Sequence, residues 1–584
     1  AVGGALFSFL LVKYLDPIQI AVGLGAVNLM AGYWAFGLPS LREASEERVR
    51  WRRSVLLLCA VLLAAVAVPL GALLNQATLS WQWGEVLFSQ DSIYGRLTIT
   101  GRDSQRVFFE NGLLMFETQG TFPEEVAHFP LLEHPEPKTV LLIGGGVSGT
   151  LREILKHPVQ DVQYVELDPL LIQAAMVHLP AEDRVPFEDP RATIAYEDGR
   201  LYVTKTDKRF DVVIADLPEP STGQLNRFYT EEFFREVRAI LKDGGIFSLG
   251  LPSAENYLSP EMRYRNGGVY HSLRSVFPSV VVLPGEHNFF LASNRPLSSD
   301  HLLLADRLTE RGIETRWVNA AYLDYIFTTD RFALTISGLE DIGPIRLNRD
   351  LQPICYYYDM ALWLSRFYSN LRGLYYTASL LNVWWLAAPL LILAIIVRRF
   401  RGAVIPTVIG LTGFTEMTIS MVVLLGFQAL RGYVYHEVAL ITAAFMVGTA
   451  SGGAIMNRLA SRSLGQKRIG HRAVFMSLQG AIFVYALSLP ILLPTSKVLP
   501  FPDLLFPLLA LTAGFLGGME FPLAVQLTEG RVSRIAGLIY GTDLAGACFG
   551  ALLSSTLLIP ILGIPQTCVA LALLAAVGLV LLLM

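Results

Sequence analysis

Four glycines and four carboxylates carry the chemistry legible in this chain. Gly144, Gly145, Gly146 and Gly149 fall within six residues, directly after the apolar run 139–143. Glycines at that density let a backbone turn tightly and approach a ligand closely. Glu166 and Asp168 close a second apolar run at 162–167, Asp198-Gly199 follows a third strand, and Asp216 ends a fourth run at 211–215. In parallel α/β sheets ligands bind beyond the carboxyl ends of the strands. A carboxylate after the second strand can accept both hydroxyls of a ribose, which fits Glu166. One after the third strand stands where an adenine amino group is met, which fits Asp198. Asp216 then stands beside the reacting centre. Each has a plainer reading: Glu166 as a solvent-facing strand end, Asp198 as turn chemistry before Gly199, Asp216 as a helix cap.

Those residues need an alternating scaffold, and the pattern supplies one. Run 139–143 reads as a buried strand, 144–149 as a tight turn, and 150–155 as the start of a helix. Further strands are expected at 162–167, 211–215 and, after Lys242-Asp243-Gly244-Gly245, at 246–249. Alternation of strand and helix predicts a Rossmann-like, doubly wound, mainly parallel sheet. A β-rich subdomain precedes it: a turn at 90–95, an alternating strand at 96–100, and an Asn-Gly hairpin at 110–112. Two cofactors compete for the turn. Gly144, Gly146 and Gly149 satisfy G-x-G-x-x-G, which suits a dinucleotide. The downstream order of Glu166, Asp198-Gly199, the Asp216 loop and Gly244-Gly245 favours the AdoMet class.

The rest of the chain reads as membrane helices. Of 584 residues, 53% are hydrophobic and 16% charged, and the charges crowd into 80–350. A bilayer core takes about 20 apolar residues per helix. Spans are expected near 1–15, 19–38, 54–75, 378–397, 404–429, 436–456, 473–493, 502–525, 536–559 and 565–584. The protein is therefore expected to be a multi-pass α-helical membrane protein with an inserted α/β domain. The expected division is transmembrane helices at 1–78, the β-rich subdomain at 79–135, the Rossmann domain at 136–350, a connector at 351–376, and a bundle of about seven helices at 377–584. Gly4-Ala5-Leu6-Phe7-Ser8 resembles Gly550-Ala551-Leu552-Leu553-Ser554. That internal repeat predicts further helices before Ala1.

Basic residues mark cytoplasmic loops. Arg42, Arg48, Arg50, Arg52 and Arg53, then Arg398, Arg399 and Arg401, then Arg458 to Arg472, then Arg531 and Arg534 all fall on one side of these spans. The α/β domain falls on the other, which predicts an extracytoplasmic position at a bacterial inner membrane. Glu416, Glu520 and Asp543 lie within apolar runs, either along a transport path or hydrogen-bonding between helices. Tyr356-Tyr357-Tyr358 and Trp384-Trp385 are expected in the interface belt. The scattered cysteines suggest neither disulfide nor metal, and no basic stripe suggests nucleic acid.

Leu142-Ile143-Gly144-Gly145-Gly146, Leu151 to Pro158 and Val165-Glu166-Leu167-Asp168 resemble the spermidine synthases, the polyamine aminopropyltransferases. Ala127-His128-Phe129-Pro130-Leu131, Asp216-Leu217-Pro218-Glu219-Pro220 and Tyr229 to Phe234 extend the resemblance over about 85–295. The whole chain resembles membrane-fused members, in which this domain is joined to transporter-like helices. The resemblance implies decarboxylated S-adenosylmethionine, or a related adenosyl ligand, as donor, no metal, and a diamine or polyamine as acceptor. It implies Asp216 as the catalytic carboxylate and a nucleoside held by Gly144, Gly145, Gly146, Gly149, Glu166, Asp168, Asp198, Gly199 and Gln90. Tyr94, Glu219 and His128 would face the acceptor. The departures gather at the amine end. Val147 replaces an aspartate of the family turn, Phe122-Pro123 replaces a Tyr-His or Tyr-Gln pair before Glu124, and Glu219 replaces the second aspartate of the loop. No late tyrosine appears near Pro284-Gly285-Glu286-His287. The nucleoside half is kept and the amine half rewritten. Three functions follow: a membrane-anchored transferase, a degenerate domain that binds a ligand or partner within a membrane complex, and a transporter with a sensing domain.

Overall fold

In the computed structural model the described residues are Leu6, Leu11, 14–36, 46–102, 105–255, 257–343, 345–432, 435–463, 468–497, 502–528 and 532–583. The expected first span and the N-terminal copy of the repeat lie almost wholly outside them.

Four antiparallel strands form the first sheet: β1 (Val86–Asp91), β2 (Arg96–Arg102), β3 (Gln105–Glu110) and β4 (Leu113–Glu117), in that spatial order. Asn111 and Gly112 join β3 to β4 with φ of 50° and 82°, the left-handed pair that a tight hairpin needs. The second sheet holds β5 (Thr139–Ile143), β6 (Asp161–Glu166), β7 (Ala192–Tyr196), β8 (Phe210–Ala215), β9 (Leu241–Pro252), β10 (Ser279–Leu283) and β11 (His287–Ser293). Their order is β10-β11-β9-β8-β5-β6-β7. Strands β5 to β9 run parallel, and β11 is antiparallel to β9 and β10. The winding reverses between β5 and β8, which makes that gap the switch point. β8 is buried along its whole length, as a strand covered on both faces must be.

Among the described residues six segments are long and apolar enough to cross a membrane, or up to eight if each bent pair is one span. The last, Arg534–Leu583, breaks at Gly563, where φ is 77° and the chain leaves helical geometry. Arg50–Val66 and Pro69–Trp83 meet at 58°, and Gly373–Ser379 and Val383–Arg398 at 106°. Gly448 and Gly452 on helix Tyr435–Ser463 face Gly514 and Gly518 on helix Pro502–Leu527 so closely that a β-carbon at any of them would overlap the opposite backbone. This is the small-residue packing that brings helices together where no hydrophobic force separates helix from lipid. Glu520 accepts hydrogen bonds from Thr412 Oγ1 at 2.7 Å and Gln479 Nε2 at 2.9 Å, so this acid ties three helices together.

The domain and bundle share a core. Ile561 and Leu562 belong to the same buried cluster as Phe247 and Leu249 of β9. Ile564 N–H donates to Leu351 O at 2.7 Å, and Arg346 donates to Ile561 O and to Leu381 O. These contacts, and those of Gln428 and Gly432 with the domain, fall at one end of the helices, while Arg398, Arg472 and Arg534 lie toward the other. One expectation is corrected. Trp384 and Trp385 are exposed, but Tyr357 and Tyr358 are buried in the domain core on helix Ile354–Ser365, not in a belt. Their helix packs against Pro260–Arg274, so an aromatic run near a span was serving the soluble core.

Candidate functional site

The register of the central strands sets the site. Ile143 pairs with Val165 on one side and Ala215 on the other, so Gly144, Glu166 and Asp216 emerge at one level. Gly144 N–H donates to Val165 O at 3.0 Å and Asp216 N–H to Ile143 O at 3.0 Å, carrying the ladder one residue further. Gly144, Gly145 and Gly149 have φ of 72°, 65° and 115°, which side chains rarely adopt. Space is also short. A β-carbon at Gly144 would lie 2.7 Å from Asp216 O, one at Gly145 would overlap the Asp216 carboxylate, and one at Gly146 would lie 2.5 Å from the Tyr164 ring. At Gly199 it would overlap Ile143.

Asp216 accepts a 2.7 Å hydrogen bond from Thr150 Oγ1, at the first residue of the helix after the turn. Burial pushes its carboxyl up to about 6, against the lowering by that bond. The loop beyond it is pinned by Tyr229, whose buried hydroxyl lies 2.7 Å from Pro218 O and 3.1 Å from Leu217 O. Glu166 is buried and accepts from the Tyr164 hydroxyl at 2.6 Å and from Leu167 N–H at 2.8 Å; burial raises its pKa.

Asp168 and Asp198 each cap a helix, accepting from Leu170 N–H at 2.9 Å and Leu201 N–H at 3.0 Å. Asp198 also pairs with Arg227, so both its oxygens are engaged. Tyr94 is half-buried within electrostatic reach of Asp168 and Asp198; burial and those two carboxylates raise its pKa. Gln90 is exposed on β1, opposite Leu97. The structure thus gathers Gly144 to Gly149, Glu166, Asp216 and Thr150 at one place. It brings Tyr94 toward the acids of the next two strands.

The positions at which the sequence departs from the family pattern lie among other residues. The Phe122 ring lies 4.4 Å from the His287 ring at a tilt of 49°, and Glu219 lies in electrostatic reach of His287 and Tyr229. Pro123 packs toward Gly149. Glu124 is structural: it accepts from the backbone N–H groups of Arg316, Trp317 and Val318 at 2.7–3.0 Å. Val147 is buried in the core beside Leu151. His128 lies elsewhere. It is fully buried, with Nδ1 2.8 Å from His157 Nε2 and Nε2 3.2 Å from Glu153 Oε2. Both ring nitrogens face protein groups, and burial, with His128, Arg311 and Lys156 nearby, lowers the His157 pKa to about 2.

Two residues escaped the sequence reading. Glu110 ends β3, and burial, with Asp168 and Glu166 nearby, raises its pKa, so the β-rich sheet brings a further acid toward those two. Its place beside Asn111-Gly112 signalled only a hairpin. Arg227, 3% exposed, had no signal in spacing. Among the described residues no group of three or more His, Cys, Asp or Glu is placed to hold a metal ion.

The spermine/spermidine synthase domain family matches residues 121–281. Polyamine aminopropyltransferase 1 of Aquifex aeolicus is 36% identical over 200 residues, 34% of this chain and 69% of that protein. The polyamine aminopropyltransferase of Thermotoga neapolitana is 39% identical over 178 residues, 30% of this chain and 60% of its own length, so this chain spans about three fifths of that relative. The crystal structure of spermidine synthase from Thermotoga maritima aligns at TM-score 0.36 and 28% identity, covering 44% of this chain and 88% of that one. From the glycine turn to the tyrosine-pinned loop, the chain belongs to the spermine/spermidine synthase family.

Proposed function

We propose that this protein is a membrane-anchored aminopropyltransferase-like enzyme that uses decarboxylated S-adenosylmethionine, or a closely related adenosyl donor, with an altered amine acceptor. The observation that carries this reading is the Asp216 carboxyl, held against Gly144 and Gly145 at the switch point with its pKa raised to about 6. A carboxylate with that pKa is largely ionised at neutral pH yet basic enough to take a proton. An acceptor nitrogen attacks the aminopropyl carbon next to the sulfonium. The new C–N bond forms as the C–S bond breaks, its electron pair stays on sulfur as a neutral thioether, and the nitrogen's proton passes to Asp216. On this reading Glu166 and Glu110 would accept from the ribose hydroxyls. Phe122 and His287, in place of a phenol, give the acceptor end an aromatic floor beside Glu219. A diamine or polyamine is the proposed acceptor class.

The six apolar helices support insertion in a lipid bilayer. The basic helix ends, away from the domain, support an extracytoplasmic domain at a bacterial inner membrane. A second reading is favoured by one observation. Both oxygens of Asp198 are already engaged, by Leu201 and Arg227. On that reading the domain is a catalytically degenerate binding module within a membrane complex. The deciding experiment supplies labelled decarboxylated S-adenosylmethionine and a panel of diamines to the full-length protein. The transferase reading expects labelled product from wild type, and a loss of at least about 100-fold in kcat for Asp216→Asn. Absence of product from wild type with every amine sinks the transferase reading and leaves the binding module.

A further inference from the structure

The nucleoside side of the site is in contact with the helical bundle. Helix Val404–Arg431 ends at Gly432, which has φ of 105° and is buried. A β-carbon there would lie 3.1 Å from Arg227 Nη1 and 3.2 Å from Asp198 Oδ2. The backbone of the bundle therefore touches the guanidinium–carboxylate pair directly. One turn back, the same helix meets the loop beyond Asp216: a β-carbon at Gly223 would lie 3.0 Å from Leu425 Cδ2 and 3.8 Å from Gln428 Oε1. Arg227 is held among protein atoms, with its guanidinium 4.7 Å from the Phe228 ring centroid, and its Nε has no hydrogen-bond partner among the described residues. A buried donor without a partner is costly to the fold.

We infer that the turn at Gly432 is a wall of the nucleoside site, and that Arg227 is the positioning residue through which the bundle sets the Asp198 carboxylate. The inference rests on the nucleoside reading given above. With Gly432 in place, Arg227 has no room to leave Asp198 toward the bundle, and the carboxylate is presented at a fixed angle beyond β7. The coupling is reciprocal by thermodynamic necessity: whatever displaces the end of helix Val404–Arg431 alters nucleoside affinity, and nucleoside binding biases that helix by the same factor. The same helix carries Thr412, bonded to Glu520, into the polar centre of the bundle.

The test is calorimetric titration of the full-length protein in lipid nanodiscs with methylthioadenosine. Gly432→Val pushes a branched side chain into the pair, and Arg227→Met removes the charge at similar size. Both are expected to weaken binding at least tenfold. Arg227→Lys, which restores a cation, is expected to return affinity to within about threefold of wild type, a rescue that a purely structural role for the side chain would not give. Thermal unfolding of each variant reports folding, and if Gly432→Val fails to fold, the two Arg227 variants decide. Unchanged affinity in Arg227→Met, or Arg227→Lys as weak as Arg227→Met, overturns the inference and leaves the nucleoside reading standing. No binding by wild type overturns the nucleoside reading and this inference with it.

Discussion

Asp216 shows how far one carboxyl can be tuned by its place. Its folded pKa of about 6 exceeds the ordinary value of 3.8, so the fold prefers the protonated form. The contribution to stability is present below about pH 4 and is lost as pH rises through about 6. At neutral pH the ionised carboxylate therefore strains the native state. The two-unit shift corresponds to at most about 3 kcal/mol. Asp216→Asn should raise stability by up to that amount at pH 7.5 and change it little at pH 4, as thermal unfolding at the two pH values will read. Gly145→Ala should act in the opposite sense. Its φ of 65° and the overlap with the Asp216 carboxylate predict a loss of about 1–3 kcal/mol and weaker nucleoside binding, measurable by denaturant unfolding and calorimetry. At this scale the sequence told much. Gly144, Glu166 and Asp216 were legible because each directly follows an apolar strand and parallel register aligns strand ends. Glu110 and Arg227 were not, because the first arrives from another sheet and the second from a loop folded back beneath the bundle.

At the scale of elements, the strand–turn–helix at β5 followed the expected order, and so did the Asn111-Gly112 hairpin. β9 did not. Lys242-Asp243-Gly244-Gly245 reads as a turn, yet β9 begins at Leu241, which pairs with Phe210 before the register shifts and Ile246 takes up Val212. Gly244 at φ 75° absorbs that bulge, so a turn-like composition marked an irregularity inside a strand. The loop after β8 is stiff for a reason absent from its own sequence: Tyr229, 13 residues beyond Asp216, holds its carbonyls. Tyr229→Phe should cost about 1 kcal/mol of stability. It should also raise the KM for the acceptor more than that for the nucleoside donor, because Glu219 sits on that loop. Equal changes in the two KM values would contradict this assignment.

At the scale of the molecule, a buried ion network joins the sheet to the chain that leaves it. Arg200 bonds Asp350 through two hydrogen bonds of 2.7 and 2.8 Å and Glu236 through two of 2.6 and 3.0 Å, and Thr230 donates to Asp350 at 2.8 Å. Removing one partner of a buried pair leaves the other uncompensated. Asp350→Ala should therefore lower stability by about 2–4 kcal/mol, with Glu236 retaining part of the charge balance. The loss should appear in one cooperative unfolding transition of domain and bundle, because Ile561 and Leu562 complete the domain's core. Two separate transitions, only one of them shifted, would show that the shared core does not couple them. None of this was legible in sequence. Apolar runs reveal that helices exist, while the partner of Arg200 lies 150 residues away and Leu351 meets Ile564 across more than 200.

That last pairing has a consequence for how the protein is made. The ribosome delivers Leu351 about 200 residues before Ile561, Leu562 and Ile564, a delay of roughly 10–40 s at ordinary rates of synthesis. Through that interval the face of the soluble domain that those residues will cover has no lid. A nascent chain halted before residue 561 would carry a finished parallel sheet with an open apolar seam.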